Sequence, residues 1–129
     1  MAVSFNHTII QARDKVASAR FLTEILGLPE PGKFGPFAVV QVGETSLDFA
    51  DTDEQISPRH FAFLVSEPEF DQIFQRIRER NLPYWADPYH NEPGKLNDRD
   101  GGRGFYFDDP NGHNLEILTR PYGSGGHNA

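Results

Sequence analysis

Hydrophobic and polar residues alternate along several short stretches of the chain, and this period-two pattern predicts β-strands. In residues 3–12 it places Phe5, His7 and Ile9 on one face of a strand. Further strands are predicted at FAVVQV and TSLDFAD in the first half, and at RHFAFLV and within GFYFDDPNGHNLEILT in the second. The last of these segments reads as a hairpin that turns around DPNG.

Two stretches carry apolar residues at helical spacing instead. RDKVASARFLTEILG has Asp14 as its N-cap candidate and ends at Gly27, where a C′ glycine belongs. SEPEFDQIFQRIRERN opens with Ser66 and Glu69 at capping-box spacing and ends at Asn81. Each half therefore begins with a strand and a helix and ends with further strands, and one additional short strand is left open around residues 28–36.

The two halves of the sequence repeat each other. His7 matches His60 at the start of each first strand, and Asp48 falls on Glu116 when PFAVVQVGETSLDF is aligned without a gap on GFYFDDPNGHNLEI. The extra length of the second half lies mainly in residues 89–104, which are polar and rich in glycine and predict a loop. The same gapless alignment places Phe37 on Phe105 and Val39 on Phe107.

Strand faces alternate, so each repeat position can be assigned to one side of a sheet. Phe61 and Phe63 share a face that can pack on helices, which leaves His60 on the opposite face. A sheet that helices cover on one side presents its other face to a cavity, a partner or solvent. Four side chains with useful chemistry are predicted on that open face: His60, Glu116, Asp48 and Tyr106.

Two imidazoles and one carboxylate form the ligand set of a facial metal site that leaves positions open for substrate. His7, His60 and Glu116 supply this set, and Fe(II), Mn(II), Ni(II), Co(II) and Zn(II) are all chemically acceptable. Taken singly, each residue also fits an ordinary polar or solvent-facing position. The two histidines share one repeat position, and Glu116 shares another with Asp48, which favours a metal-binding role. His113 beside the turn and His127 near the end are expected at the surface, and His90 is a candidate lid residue.

Composition excludes several classes of protein. The net charge is −7, and the short basic stretch at 76–80 alternates with apolar and acidic residues, so neither nucleic acid nor a membrane is an expected partner. The chain contains no cysteine, which excludes disulfides and thiolate metal sites. No signal peptide or membrane span is recognised, and we expect a cytoplasmic location.

The motifs resemble those of the vicinal oxygen chelate superfamily, which includes glyoxalase I, extradiol dioxygenases, fosfomycin-resistance proteins and bleomycin-binding proteins. The resemblance spans about residues 4–121 and rests on FNHTIIQARD, RHFAFLV and GFYFDDPNGHNLEIL. It implies an α+β fold in which two tandem βαβββ modules form a curved sheet cup with helices on the outer face. We expect one domain over 1–121, with modules at about 4–52 and 58–120, and a flexible tail at 122–129.

The resemblance also implies a function. We expect a homodimeric, metal-dependent enzyme whose small-molecule substrate chelates the metal through vicinal oxygens, as a glyoxalase-type lyase or isomerase or as an extradiol dioxygenase. His7 of one subunit would then meet His60 and Glu116 of the other at the interface. Asp48 occupies the position of a fourth ligand but is short, so it is a ligand, a general base or a hydrogen-bond partner. Tyr106 matches an active-site tyrosine, although packing explains it equally well.

Two alternatives stay open from the sequence. One is a non-catalytic protein that binds a drug or metabolite, as bleomycin-resistance proteins do. The other is a thiol transferase or hydrolase that resembles the fosfomycin-resistance enzymes, for which the segment after Glu116 offers only Arg120 as a nearby cation.

Overall fold

The computed structural model of the protein describes residues 3–125. The chain divides into two compact units, and the boundary between them falls between Ser57 and Pro58. Each unit contains one helix and one mixed sheet. The architecture is therefore the expected α+β fold of two modules.

The first module forms a four-stranded sheet in the order β1, β4, β3, β2. β1 pairs with β4 in parallel, and the other pairs are antiparallel. β2 is the short strand that the sequence left open. The elements are β1 (His7–Ala12), α1 (Lys15–Leu26), β2 (Gly32–Phe34), β3 (Phe37–Val42) and β4 (Thr45–Asp51).

The second module repeats this plan with a three-stranded sheet in the order β5, β7, β6. β5 pairs with β7 in parallel, and β6 pairs with β7 in the antiparallel sense. In place of a fourth strand, Trp85 makes an isolated antiparallel bridge to Tyr106. The elements are β5 (His60–Leu64), α2 (Glu67–Glu79), a short 3₁₀ turn at Arg99–Gly101, β6 (Gly104–Asp108) and β7 (Asn114–Leu118).

The predicted helix ends are confirmed. The Asp14 side chain accepts the Ala17 N–H at the start of α1, and Gly27 adopts the left-handed conformation that ends it. Ser66 and Glu69 form a complete capping box at the start of α2. These local interactions place each helix between its two parallel strands.

The core of each module lies between its helix and one face of its sheet. In the second module the Phe70 ring of α2 packs edge-on against Phe105 of β6, with the ring centroids 5.4 Å apart. In β5 the even-numbered residues are exposed and the odd-numbered ones are half-buried, as the alternation predicted. His60 therefore lies on the face of the sheet that the helix does not cover.

The gapless alignment of the two hairpins is wrong by one residue in the first strand. Val39 pairs with Asp48, whereas Tyr106 pairs with Glu116, so Val39 is the counterpart of Tyr106 and not of Phe107. The reason is the turn, because the pair Asp108–Asn114 encloses five residues, whereas the equivalent pair Gln41–Ser46 encloses four. The match of Asp48 with Glu116 is unaffected.

The sequence predicted a flexible tail at 122–129, and the structure describes this segment up to residue 125. The backbone N–H groups of Gly123 and Gly125 donate to the carboxylate of Asp100, and the Tyr122 hydroxyl donates to Glu116. These bonds tie residues 122–125 to the second module, and residues 126–129 lie outside the described range. None of the helices between residues 3 and 125 is long and apolar enough to cross a membrane.

Candidate metal site

His60 and Glu116 meet on the open face of the second sheet. They lie on adjacent parallel strands, and His60 Nε2 is 3.1 Å from Glu116 Oε1. The carboxylate of Glu116 is 2% exposed, whereas the imidazole is 46% exposed. A buried carboxylate beside an accessible imidazole is an arrangement that can receive a ligand from the open side.

The other ring nitrogen decides which atom of His60 can bind a metal. Nδ1 lies 3.1 Å from the Asn114 main-chain oxygen and 3.0 Å from the Asn114 side-chain oxygen. A carbonyl oxygen only accepts, so Nδ1 carries the proton and Nε2 of a neutral ring presents its lone pair to Glu116. Two acceptors then face each other, and a proton or a metal cation between them resolves the conflict.

Glu116 is also the end of a hydrogen-bonded chain that sequence reasoning missed. The Tyr122 hydroxyl donates to both oxygens of Glu116, at 2.8 and 3.1 Å. Tyr122 accepts in turn from the buried Tyr106 hydroxyl, and Tyr106 accepts from the Arg99 guanidinium. The sequence offered weak signals for these additions, since Arg99 lies in the glycine-rich insertion and Tyr122 is a lone aromatic residue in a small, polar tail.

Tyr106 and Tyr122, the two tyrosines of this hydrogen-bonded network, both resist ionisation. Burial raises the pKa of Tyr106, and the hydrogen bond to Tyr122 and the charge of Glu116 raise it further. Desolvation of its hydroxyl likewise raises the pKa of Tyr122; the hydrogen bond from Tyr106 lowers this pKa, and the hydrogen bond to Glu116 raises it. Both hydroxyls are therefore proton donors at neutral pH.

Tyr106 also contacts the predicted ligand directly. Its ring stacks on the His60 imidazole with centroids 5.9 Å apart and planes 29° apart. Arg99 covers the Tyr106 ring, with Cζ 5.5 Å from the centroid. Tyr106 is 1% exposed, so it combines the packing role and the polar role that the sequence left as alternatives.

The first module places His7 and Asp48 on one face of its own sheet. His7 Nδ1 lies 2.6 Å from the side-chain oxygen of Asn6, which leaves Nε2 for a metal, as in His60. Asp48 is 8% exposed and accepts a hydrogen bond from Ser46 Oγ at 2.9 Å. Ile9, which pairs with Asp48, separates it in register from His7.

The remaining histidines differ from one another. His113 was expected at the surface, but it is 1% exposed, and its Nδ1 accepts the Arg59 N–H at 3.0 Å. It is buried because the loop between β6 and β7 folds back onto the start of β5. His90 stacks on Trp85 at a centroid distance of 3.6 Å and lies 3.5 Å from Asp108, so this part of the insertion is packed. His127 lies outside the described residues.

The described part of a single chain holds two members of the predicted ligand set together. His60 and Glu116 are adjacent, and no cluster of three or more His, Asp or Glu side chains that could hold a metal occurs within residues 3–125. The pair itself fits a divalent cation, because a neutral imidazole nitrogen and a carboxylate oxygen converge from one side.

A separate cavity of about 320 Å³ lies within the first module. Its walls include Lys15 and Arg20 of α1 and Lys33 of β2, and none of the predicted site residues. It is therefore distinct from the face that carries His7 and Asp48.

Comparison with models of known protein families identifies the family of this chain. The model of the glyoxalase/bleomycin resistance protein/dioxygenase superfamily matches residues 4–117. The chain belongs to this superfamily. The vicinal oxygen chelate resemblance is thereby confirmed, and the matched region contains His7, His60 and Glu116.

Two solved structures are similar to this protein along almost the whole chain. The oxidase ChaP-H2 is 63% identical with a TM-score of 0.94, and the match covers 97% of this chain and 99% of that one. The oxidase ChaP-H1 is 61% identical with a TM-score of 0.93, and the match covers 95% and 99%. The glutathione transferase FosA of Serratia marcescens is 27% identical over 91% of this chain and 81% of its own length. These relatives are described as enzymes.

Proposed function

We propose that this protein is a metal-dependent enzyme of the dioxygenase type, which uses dioxygen to oxidise a small molecule bound through two vicinal oxygens. The observation that supports a metal is the pair His60–Glu116. In this pair a lone pair on His60 Nε2 faces a buried carboxylate oxygen of Glu116 at 3.1 Å. The identity of 63% with the oxidase ChaP-H2 favours oxidation over the glyoxalase-type alternative. The dioxygenase-type reading of the sequence is therefore the one that we adopt.

His7 completes the proposed ligand set. Its Nδ1 is engaged by Asn6 as that of His60 is by Asn114, so both rings offer Nε2, the nitrogen that a metal would take. We propose that His7 comes from a second copy of the chain in a homodimer. Bound there, the metal would supply a Lewis acid for the vicinal oxygens of the substrate.

Dioxygen is the oxidant in this proposal. In extradiol cleavage of a catechol, one carbon–carbon bond of the ring breaks and both atoms of dioxygen enter the product, so no further reductant is consumed. The chain's own contribution is to orient the substrate and to hold protons near it. Asp48, buried and held by Ser46, is the proposed general base, and Tyr106 is the proposed hydrogen-bond donor.

The Tyr106 hydroxyl can donate to an oxygen of a bound substrate only if it first gives up its hydrogen bond to Tyr122. In the structure the hydroxyl is buried and donates to Tyr122. Its contribution in the resting state is to stack on His60 and to hold the hydrogen-bonded chain that ends at Glu116.

Elemental analysis of untagged protein tests the metal. We expect about one divalent metal per chain in the parent and a loss of most of it in His60→Ala and in Glu116→Gln, since a facial site keeps little affinity without one of its three ligands. His90→Ala is the matched control, because His90 is packed on Trp85 and is no member of the set. A parent that holds no metal and resists reconstitution would contradict the proposal.

Oxygen consumption tests the reaction. After anaerobic reconstitution with Fe(II), a catechol and dioxygen should disappear in equal amounts, and the His60→Ala protein should consume neither. A loaded protein that binds the catechol without consuming oxygen supports the non-catalytic binder instead.

A thiol transferase is the second candidate, because the relatives FosA and two FosB proteins, each 27% identical, are described as glutathione and metallothiol transferases. Arg99 adds a cation near the site that the sequence had not indicated. Metal-loaded protein with fosfomycin and glutathione decides the point. Loss of free thiol without oxygen uptake would replace the dioxygenase proposal with this one.

A further inference from the structure

The carboxylate of Asp100 binds the backbone of residues 123–125, and we call this hydrogen-bonded contact the Asp100 socket. It is 7% exposed, and its two oxygens accept the N–H groups of Gly123 and Gly125 at 3.1 and 3.2 Å. A buried carboxylate is costly unless such donors compensate it. The two amides therefore satisfy Asp100, and Asp100 fixes the path of residues 123–125.

The backbone around this socket is specialised for close approach. Asp100 has a φ of +56°, a left-handed conformation that is unfavourable for a residue other than glycine. A Cβ atom added at Gly125 would lie 2.5 Å from the Asp100 main-chain oxygen, so only glycine fits there. Strain and close packing at one point indicate that the contact is specific.

The position of Tyr122 depends on this socket. Tyr122 is 62% exposed, so packing of its ring does little to hold it. Its hydroxyl nevertheless reaches both oxygens of Glu116. The neighbouring Gly123 is the residue that Asp100 holds, and this anchor is what directs the tyrosine towards the carboxylate.

The turn that contains Asp100 also supplies the first donor of the hydrogen-bonded network. Arg99, in the same 3₁₀ turn, donates to the Tyr106 hydroxyl, which donates to Tyr122. Each hydroxyl thus has one donor and one acceptor, and the last proton in the chain points at Glu116. Such a network has one direction, from the arginine to the carboxylate.

We propose that Asp100 is a positioning residue that clamps the C-terminal segment 121–125, so that the Tyr122 hydroxyl holds the Glu116 carboxylate in the orientation in which it binds the metal. The metal part of this inference rests on the proposed function, whereas the clamp itself does not. Partners that orient a ligand carboxylate contribute about ten- to hundredfold in metal affinity. The glycine-rich insertion and the tail thereby become parts of the site.

The clamp is tested first without metal, by Asp100→Asn and Tyr122→Phe. Asparagine keeps the volume but turns an N–H group towards one of the two amides. We expect faster hydrogen exchange at Gly123 and Gly125 in Asp100→Asn but not in Tyr122→Phe, and the same displacement of the Glu116 side-chain carboxyl ¹³C resonance in both. Ser124→Ala is the control and should change neither, since Ser124 uses only its backbone in the segment.

Gly125→Ala is a second route to the same result. The added methyl group collides with the backbone of Asp100, so it should release the segment while the carboxylate itself is retained. Unchanged exchange at Gly123 in both Gly125→Ala and Asp100→Asn, with both proteins folded, would overturn the clamp.

The coupling to the metal is tested with Mn(II) by calorimetry. Tyr122→Phe and Asp100→Asn should each weaken Mn(II) binding about ten- to hundredfold, and the double variant should be no weaker than Tyr122→Phe alone. Fold-changes that multiply in the double variant would show that Asp100 acts by another route and would overturn the coupling. If the parent binds no Mn(II), the proposed metal site fails, and the exchange and ¹³C measurements still decide the clamp.

Discussion

Nε2 of His60 lies 3.1 Å from a buried oxygen of Glu116 while Nδ1 of the same ring faces the carbonyl oxygen of Asn114. The second contact fixes the proton on Nδ1, and the first then brings two acceptors together. This relationship is why we propose the pair as a cation site, and it leads to a prediction about Asn114.

Asn114→Ala removes one of the two oxygens that hold His60 Nδ1 and keeps the main-chain oxygen. We expect the affinity for Mn(II) to fall about tenfold, because the ring loses part of its orientation. Calorimetric titration measures this. Asn111→Ala, in the turn of the same hairpin, is the control and should bind as the parent does; equal affinities in both variants would contradict the assigned role of Asn114.

Asp48→Asn separates a general base from a fourth ligand. The carboxylate is short and is already held by Ser46, so we expect it to act as a base. The variant should keep its metal content and lose at least about a hundredfold in kcat, the usual contribution of a general base. Metal analysis beside steady-state kinetics checks both parts. If the metal is lost along with the activity, Asp48 is a ligand instead.

The raised pKa of Tyr106 leads to a prediction about how the stability of the protein changes at alkaline pH. Its pKa is raised in the folded protein from an ordinary value of 10.0, chiefly by burial, so only the unfolded chain releases this proton just above pH 10. Stability should therefore be unaffected by this group below about pH 10 and fall as pH rises towards the folded pKa. Urea unfolding between pH 8 and pH 11 measures the slope.

Replacement of Tyr106 by phenylalanine should make that slope shallower. Tyr89→Phe is the matched control, since Tyr89 is 82% exposed and should leave the slope as it is in the parent. An unchanged slope in Tyr106→Phe would show that this tyrosine is not the group responsible.

His113 and His60 should separate stability from metal binding. His113→Ala removes a buried ring and leaves the Arg59 N–H without its acceptor, and we expect the free energy of unfolding to fall by about 2 kcal/mol with the metal retained. His60 is half exposed, so His60→Ala should lose the metal while the metal-free protein keeps nearly its full stability. Unfolding of the metal-free proteins, with metal analysis beside it, gives both readouts. Loss of metal in a folded His113→Ala protein would contradict this division.

The sequence by itself determined the fold and the pair at its centre. Alternation in β5 and β7 placed His60 and Glu116 on one face, and the repeat showed that Asp48 is the counterpart of Glu116. Helix caps at Asp14 and Ser66 were equally readable. All of these are local rules, because strand period and capping depend on residues that are close in the chain.

Tertiary structure alone decided what surrounds that pair. Asp100 and Gly125 meet across a long stretch of chain, as do Arg59 and His113, and no local period records such contacts. The register of β3 also escaped the alignment, since it depends on how many residues the turn encloses. The pattern along the chain thus sets which face a side chain takes, whereas packing between distant segments sets which atoms it meets there.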